Sequence, residues 1–83
     1  FHSELTAAKV NLISCESLKE PMRLKAKIRY RHLEQDAVAW QTEDGVLHVR
    51  FDKPQRAITK GQAVVLYDGD IVVGGGVIES CIK

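Results

Sequence analysis

The chain has 83 residues and a formal net charge of +1, with 45% hydrophobic and 28% charged residues. These values predict one small globular domain over residues 1–83. They exclude an overall polycation, and the short apolar runs exclude a transmembrane helix. Because the sequence starts at Phe1 rather than Met and shows no signal segment, we expect a piece of a longer, multidomain protein.

The first strand is predicted over residues 7–14, with Val10, Leu12 and Ala8 on its inner face. Residues 1–6 show no periodic pattern, so we expect a loose terminus. Residues 16–21 predict a loop, since Pro21 ends any helical turn that could start there.

Residues 22–31, MRLKAKIRYR, separate by parity more completely than any other stretch. Even positions are apolar or aromatic, and every odd position is basic. Side chains alternate between the two faces of a strand, so this pattern predicts a strand with one core face and one cationic face. We call its five cations the basic row: Arg23, Lys25, Lys27, Arg29 and Arg31.

A hairpin is predicted from residues 37–42 and 46–51, joined by a turn at 43–45 that contains Gly45. In the second strand, Leu47, Val49 and Phe51 share one face, and His48 falls on the other.

Residues 52–61 predict a turn-rich connection, because Pro54 cannot donate a ladder hydrogen bond. A predicted strand over residues 62–67 has apolar residues on both faces, so we expect other parts of the protein to cover both faces. A turn at 68–70 and a strand over 71–78 complete the chain, and the glycines at 74–76 indicate a bulge or a close backbone approach. The fold class is therefore all-β, as a small closed or nearly closed antiparallel β-barrel of about six strands.

The residue pattern does not indicate a catalytic or metal-binding site. His2, His32 and His48 are too far apart in sequence for metal-ligand spacing. Cys15 and Cys81 lack zinc spacing, and we favour buried thiols over a disulfide between them. Gly74–Gly76 lacks the following helix that a phosphate loop requires. We predict no catalytic, metal-binding or cofactor-binding residue.

The basic row is the one functional signal, and the pattern supports two interpretations equally. It can bind the phosphates of a nucleic acid, or it can merely keep an exposed strand edge soluble. We expect Tyr30 and Trp40 to point inward. That expectation favours contacts to the backbone of a folded RNA or duplex over stacking on single strands.

Three blocks carry a resemblance: FDKPQRAITKGQAVVLYDGD at 51–70 with the glycines at 74–76, KIRYR at 27–31, and SELTAAKVN at 3–11. They resemble the C-terminal domain of the bacterial tRNA-specific 2-thiouridylases. Lys53 and Lys60 depart from that family, in which an acidic residue and a proline are usual. Both departures make this chain more basic.

The resemblance implies a barrel similar to those of translation elongation factors. It implies a cytoplasmic parent enzyme that uses ATP and persulfide sulfur to convert the wobble uridine of tRNA to 2-thiouridine. The implied partners are tRNA, the nucleotide-binding and central domains of the same chain, and a persulfide sulfur-carrier protein, with no membrane. The catalytic residues of that family lie in a preceding domain, and Cys15 and Cys81 match neither catalytic cysteine.

We therefore expect the basic row, together with Arg56, to contact tRNA phosphates. In the alternative arrangement, Arg29 and Arg31 form ion pairs with a neighbouring domain of the parent. Two further alternatives remain: a purely structural barrel, and the C-terminal barrel of a folate-dependent aminomethyltransferase-like protein.

Overall fold

A computed structural model describes residues 2–14, 18–28, 34–56 and 58–82, with the backbone alone for His2 and Ile82. Six strands follow one another: β1 (His2–Leu12), β2 (Met22–Lys27), β3 (Gln35–Gln41), β4 (Leu47–Gln55), β5 (Ala63–Asp68) and β6 (Ile71–Ile82). All neighbouring pairs are antiparallel, and the order β1-β4-β3-β2-β5-β6 closes into a barrel. The predicted all-β barrel is confirmed.

Alternating side chains of the strands fill the interior. The inward faces of β2 and β4 are those the sequence predicted, and Leu24, Ala26, Leu47, Val49 and Phe51 are all buried. Within β3 the inward residues are the small Ala37 and Ala39. Among the described residues, no polar or charged residue is buried in this core.

Residues 2–6 belong to strand β1, so the expectation of a loose terminus was wrong for them, and Phe1 lies outside the described residues. Leu5 and Ala7 are fully buried between β4 and β6. Lys9 then adopts a φ of 51°, and the ladder to β6 gains an extra residue there. This β-bulge switches the inward parity from odd to even, which is why Ala8 is not inside although it shares the parity of Val10 and Leu12, which pack against the core.

Strand β4 continues to Gln55, whereas residues 52–61 were predicted to be a connection. Its ladder with β1 is regular up to the pair Glu4–Arg50 and resumes only at His2–Gln55. Pro54 lies in the irregular stretch between those pairs, where its missing N–H breaks no regular ladder.

Strand β6 lies between β1 and β5, and its glycines permit the close approach that the sequence predicted. A Cβ on Gly75 would collide with the carbonyl oxygen of Val64 on β5, and one on Gly76 would lie 2.7 Å from the Ala8 carbonyl oxygen on β1. The glycines therefore let the two neighbouring backbones draw close to the closing strand.

Both predicted hairpin turns are present. Gly45 and Gly69 have φ values of 85° and 62°, which side chains disfavour. On β5, Val64 and Leu66 are buried, but Val65 and Tyr67 are half-buried and Ala63 is exposed. The outer side of that strand is thus less covered than predicted.

Candidate nucleic-acid interface

The outer face of β2 carries the described part of the basic row. Arg23 and Lys25 are exposed and Lys27 is half-buried, in alternation with the buried residues of the same strand. The other two members, Arg29 and Arg31, lie outside the described residues, as do Tyr30 and His32.

β2 is not a free edge. At Lys25 and Ala26 it pairs with β3 on one side and with β5 on the other, and Lys27 pairs with β5. The interpretation of the basic row as a device that protects a sheet edge was therefore wrong at these positions, since barrel closure already pairs that stretch.

The guanidinium of Arg23 reaches across β3 to the carboxylate of Asp52 on β4. Two parallel hydrogen bonds of 2.9 and 3.2 Å join them in the geometry of a bidentate ion pair. The hydrogen bond and charge of Asp52 raise the pKa of Arg23 above its usual value. Because the side chains are 63% and 45% exposed, solvent and salt screen this pair.

Lys25 has a weaker internal partner in Asp36, which faces it directly across the β2–β3 ladder. The ammonium nitrogen lies 3.7 Å from a carboxylate oxygen of Asp36. Lys27 and Arg56 also take part in interactions within the chain. The basic row is thus interleaved with carboxylates supplied by β3 and β4, which the sequence of residues 22–31 does not reveal.

Arg56 directly follows β4 and is exposed. A further cation that sequence analysis did not single out, Arg50, lies on the outer face of β4. It belongs to one cross-strand row in which Arg23 faces Val38 and Val38 faces Arg50. The barrel thus gathers cations from β2 and β4 on one outer surface, which we call the β2–β4 face. Its charged members are Arg23, Lys25, Lys27, Asp36, Arg50 and Asp52.

Trp40 lies on the outer side of β3, so the prediction that it points inward was wrong. The inner positions of β3 belong to the alanines on either side of Val38, and the indole is half-buried outside. Its ring stacks on that of His48 with centroids 5.3 Å apart and planes at 7°. The guanidinium carbon of Arg50 lies 5.7 Å from the indole centroid. We call these three side chains the Trp40 platform.

A shallow concavity adjoins the Trp40 platform beside the β3–β4 turn. Its lining comprises Lys19, Trp40, Gln41, Thr42, Glu43 and Gly45. The rim offers an ammonium, a hydroxyl, a primary amide and a carboxylate next to an aromatic ring. The Gln41 amide is oriented by donating to the Gly45 carbonyl at 3.2 Å.

The turn beneath this concavity is held by Asp44. Its carboxylate accepts from the Thr42 hydroxyl and, at 3.5 Å, from the Val46 N–H. These hydrogen bonds, with that of Thr42 first, lower the pKa of Asp44 below its ordinary value. These hydrogen bonds hold the turn in one conformation beside Trp40.

Groups for other chemistry are sparse in the described part of the chain. Across residues 2–14, 18–28, 34–56 and 58–82, no cluster of three or more His, Cys, Asp or Glu side chains could hold a metal ion. Cys81 is a free, half-buried thiol whose Sγ lies 3.8 Å from the carbonyl oxygen of Ile58. Cys15 lies outside the described residues.

Over those same ranges, no helix has the length and apolar character needed to cross a membrane.

Comparison with known proteins adds independent observations. The family model described as the aminomethyltransferase beta-barrel domain matches residues 2–78. The chain is 61% identical over 79 residues to the tRNA-specific 2-thiouridylase MnmA of Acetivibrio thermocellus, which covers 95% of this chain and 22% of that protein. It is 58% identical over 83 residues to tRNA-specific 2-thiouridylase MnmA 1 of Thermoanaerobacter sp. (strain X514), covering 100% of this chain and 23% of the relative.

A third relative, tRNA-specific 2-thiouridylase MnmA of Clostridioides difficile, is 51% identical over 82 residues, or 99% of this chain and 23% of the relative. The chain thus spans less than a quarter of the length of these relatives. The resemblance predicted from residues 3–11, 27–31 and 51–70 is confirmed.

Proposed function

This chain belongs to the aminomethyltransferase beta-barrel domain family, and from that premise we propose that it is the tRNA-docking barrel of a tRNA 2-thiouridylase. The observation that carries the proposal is identity of 51–61% along nearly the whole chain to proteins named tRNA-specific 2-thiouridylases. The β2–β4 face supplies the chemistry that docking needs, namely several cations on one outer surface.

Phosphates of tRNA bind the β2–β4 face through Arg23, Lys25 and Lys27, and Arg29, Arg31 and Arg56 are further expected contacts. Asp52 occupies two of the five N–H donors of the Arg23 guanidinium, which leaves donors to spare. It also holds that side chain in place. The entropic cost of ordering the Arg23 side chain is then smaller when a phosphate binds. Internal carboxylates weaken the attraction, so we expect modest affinity, on the order of 10⁻⁴ to 10⁻⁶ M at physiological salt.

The chemical step belongs to the parent enzyme and to residues outside this chain. We propose that the parent uses ATP and the persulfide sulfur of a carrier protein to make 2-thiouridine at the wobble position, in the cytoplasm. The barrel itself is non-catalytic and packs against the nucleotide-binding and central domains. Cys15 and Cys81 take no part in sulfur transfer.

A second candidate follows from the name of the matching family. A barrel of this type in a folate-dependent aminomethyltransferase would border a cofactor pocket instead of RNA. The relatives named above favour the tRNA enzyme, and RNA binding separates the two candidates.

The test is a salt series of binding between this chain, its fold checked by circular dichroism, and a tRNA with uridine at the wobble position. The variant K25E/K27E reverses two charges on the β2–β4 face. The control K9E/K60E makes the same charge change elsewhere. Lys9 is exposed on β1, and Lys60 precedes Gly61, whose N–H donates to the Ile78 carbonyl of β6.

We expect binding to weaken steeply with salt, K25E/K27E to lose at least about tenfold in affinity, and its salt slope to be shallower by about 2. The control should lose no more than about threefold, through the change in net charge alone. A folded chain that does not bind tRNA at low salt would overturn the proposal. Equal losses in the two variants would show that net charge, and not this face, determines binding.

A further inference from the structure

The Trp40 platform has no role in the barrel interior, yet it places a large aromatic surface on the outside. We propose that it is a stacking site for an unpaired nucleobase of the bound RNA, with the adjoining concavity accommodating the base. The inference rests on the proposed function and adds a contact with bases to the contacts with phosphates.

The orientation of β3 leaves the indole outside the core. Small alanines occupy its inner positions, and the core cluster to which they belong also contains larger buried side chains such as Leu47 and Leu66. The indole is therefore not required to complete the core. If the indole had only a structural role, it would form a cross-strand pair with His48. Such a pair contributes little to the stability of the sheet.

The electronic character of the Trp40 platform suits the stacking of a base. His48 stacks parallel to the indole, and the guanidinium carbon of Arg50 lies 5.7 Å from the indole centroid, so three planar groups lie together on the outer surface. Aromatic rings and guanidinium planes are the surfaces on which proteins stack unpaired bases. The cation also attracts the phosphate of the nucleotide whose base is stacked.

Polar groups surround the ring on the side of the concavity. The concavity presents the Gln41 amide and the Thr42 hydroxyl beside the ring. The amide can donate its second N–H and accept through its oxygen, and the hydroxyl, whose proton goes to Asp44, can accept from a base edge. Lys19 lies on the same rim and can meet a flanking phosphate. A ring, polar edge groups and an ammonium together match the parts of a nucleotide.

The Trp40 platform lies close to the proposed phosphate contacts. Trp40 is two residues beyond Val38, the residue that faces both Arg23 and Arg50. Two residues of strand span about 7 Å. A base on Trp40 and a phosphate at Arg23 can thus belong to the same short stretch of RNA.

The chemistry of this face favours RNA over a protein partner. The exposed large hydrophobic side chains of the described residues lie elsewhere, at Ile13 and along β6 at Ile71, Val72 and Val77. In barrel order β6 is opposite β3. A protein partner with an apolar surface would therefore bind at β6. The β2–β4 face is charged instead.

The experiment uses the fact that Trp40 is the single tryptophan of the chain. Its fluorescence is recorded while the chain is titrated with an unstructured RNA oligonucleotide, and separately with a perfect RNA duplex of equal charge. We expect strong quenching by the unpaired RNA and little by the duplex, because paired bases cannot reach the ring. Equal quenching by both, or none by either, would overturn the inference.

Variants then separate stacking from phosphate binding. W40L should lose about tenfold in affinity for the unpaired RNA with an unchanged salt slope, and W40F should restore most of it. The matched control is Y67L, which removes an aromatic ring from the outer side of β5. Unchanged affinity in W40L, combined with loss in K25E/K27E, would overturn the stacking site and leave the proposed function intact. Absence of RNA binding by the folded chain would overturn both.

Discussion

Arg23 on β2 and Asp52 on β4 are joined across the intervening strand β3 by two hydrogen bonds of 2.9 and 3.2 Å. The two residues are 29 positions apart in sequence, and closure of the sheet brings them together. Asp52 therefore does two things to the candidate interface: it orients the guanidinium, and it competes with any phosphate for it.

Removing this carboxylate should strengthen RNA binding. In D52N the negative charge next to Arg23 is lost. We therefore expect the affinity for tRNA at low salt to increase about two- to fivefold. Stability should hardly change because the pair is exposed. The measurement is tRNA affinity at two salt concentrations. E79Q, on the exposed side of β6, is the charge-matched control. Weaker binding in D52N would mean that orientation of Arg23 outweighs its neutralisation.

Closure of the barrel should depend on the absence of a side chain at Gly75. A methyl group there meets the carbonyl of Val64, and backbone cannot move aside without breaking the β5–β6 ladder. We expect G75A to lower the free energy of unfolding by about 1–3 kcal/mol or more. Urea unfolding measures the loss.

G45A is the matched control for that substitution. A methyl group added at Gly45 would have no atom within 4 Å, but the backbone there has a φ of 85°. The cost of G45A is therefore conformational alone, about 1 kcal/mol. Equal stability of G75A and the native chain would contradict the close approach of β5 and β6.

The core should be sensitive to truncation at Leu66, which is fully buried on β5. L66A removes buried methyl groups and leaves a cavity, so we expect a loss of about 2–5 kcal/mol. A barrel of this size has little stability to spare, so L66A should be partly unfolded at about 37 °C. I71A, at a side chain that is 58% exposed, should change stability by less than about 0.5 kcal/mol. Similar losses in both variants would place the core elsewhere.

The β3–β4 turn should show a pH dependence set by Asp44. Hydrogen bonds from Thr42 and Val46 lower the pKa of this carboxyl in the folded chain below the ordinary 3.8. The charged form is therefore favoured by folding. Its stabilisation is complete above pH 3.8 and is lost as the pH falls through the lowered pKa.

The variant D44N tests this dependence by thermal unfolding. We expect its Tm to be slightly lower than that of the native chain at about pH 7, with the difference disappearing in acid below the pKa of Asp44. A difference that stays constant from about pH 7 to about pH 2 would assign the effect to shape instead of charge.

Local periodicity was enough to predict the elements whose inward parity is uninterrupted. The alternation in residues 22–28 and 47–51 identified the inner faces of β2 and β4, and glycines at 45 and 69 identified the turns. Side chains in a strand alternate strictly, so the core face can be deduced from the residues themselves.

Other features of the protein depended on the tertiary structure. The bulge at Lys9 switches the parity of β1, and a local pattern cannot show such a switch before the partner strands are known. Trp40 is outside because closure of the barrel turns Ala37 and Ala39 toward the core, and Trp40 has the opposite parity on β3. The same pairing places Asp36 and Asp52 among the cations. The sequence by itself determined an all-β chain with a cationic strand, because both properties are local. Which charges meet, and which aromatic ring faces solvent, depended on how six strands close into one barrel.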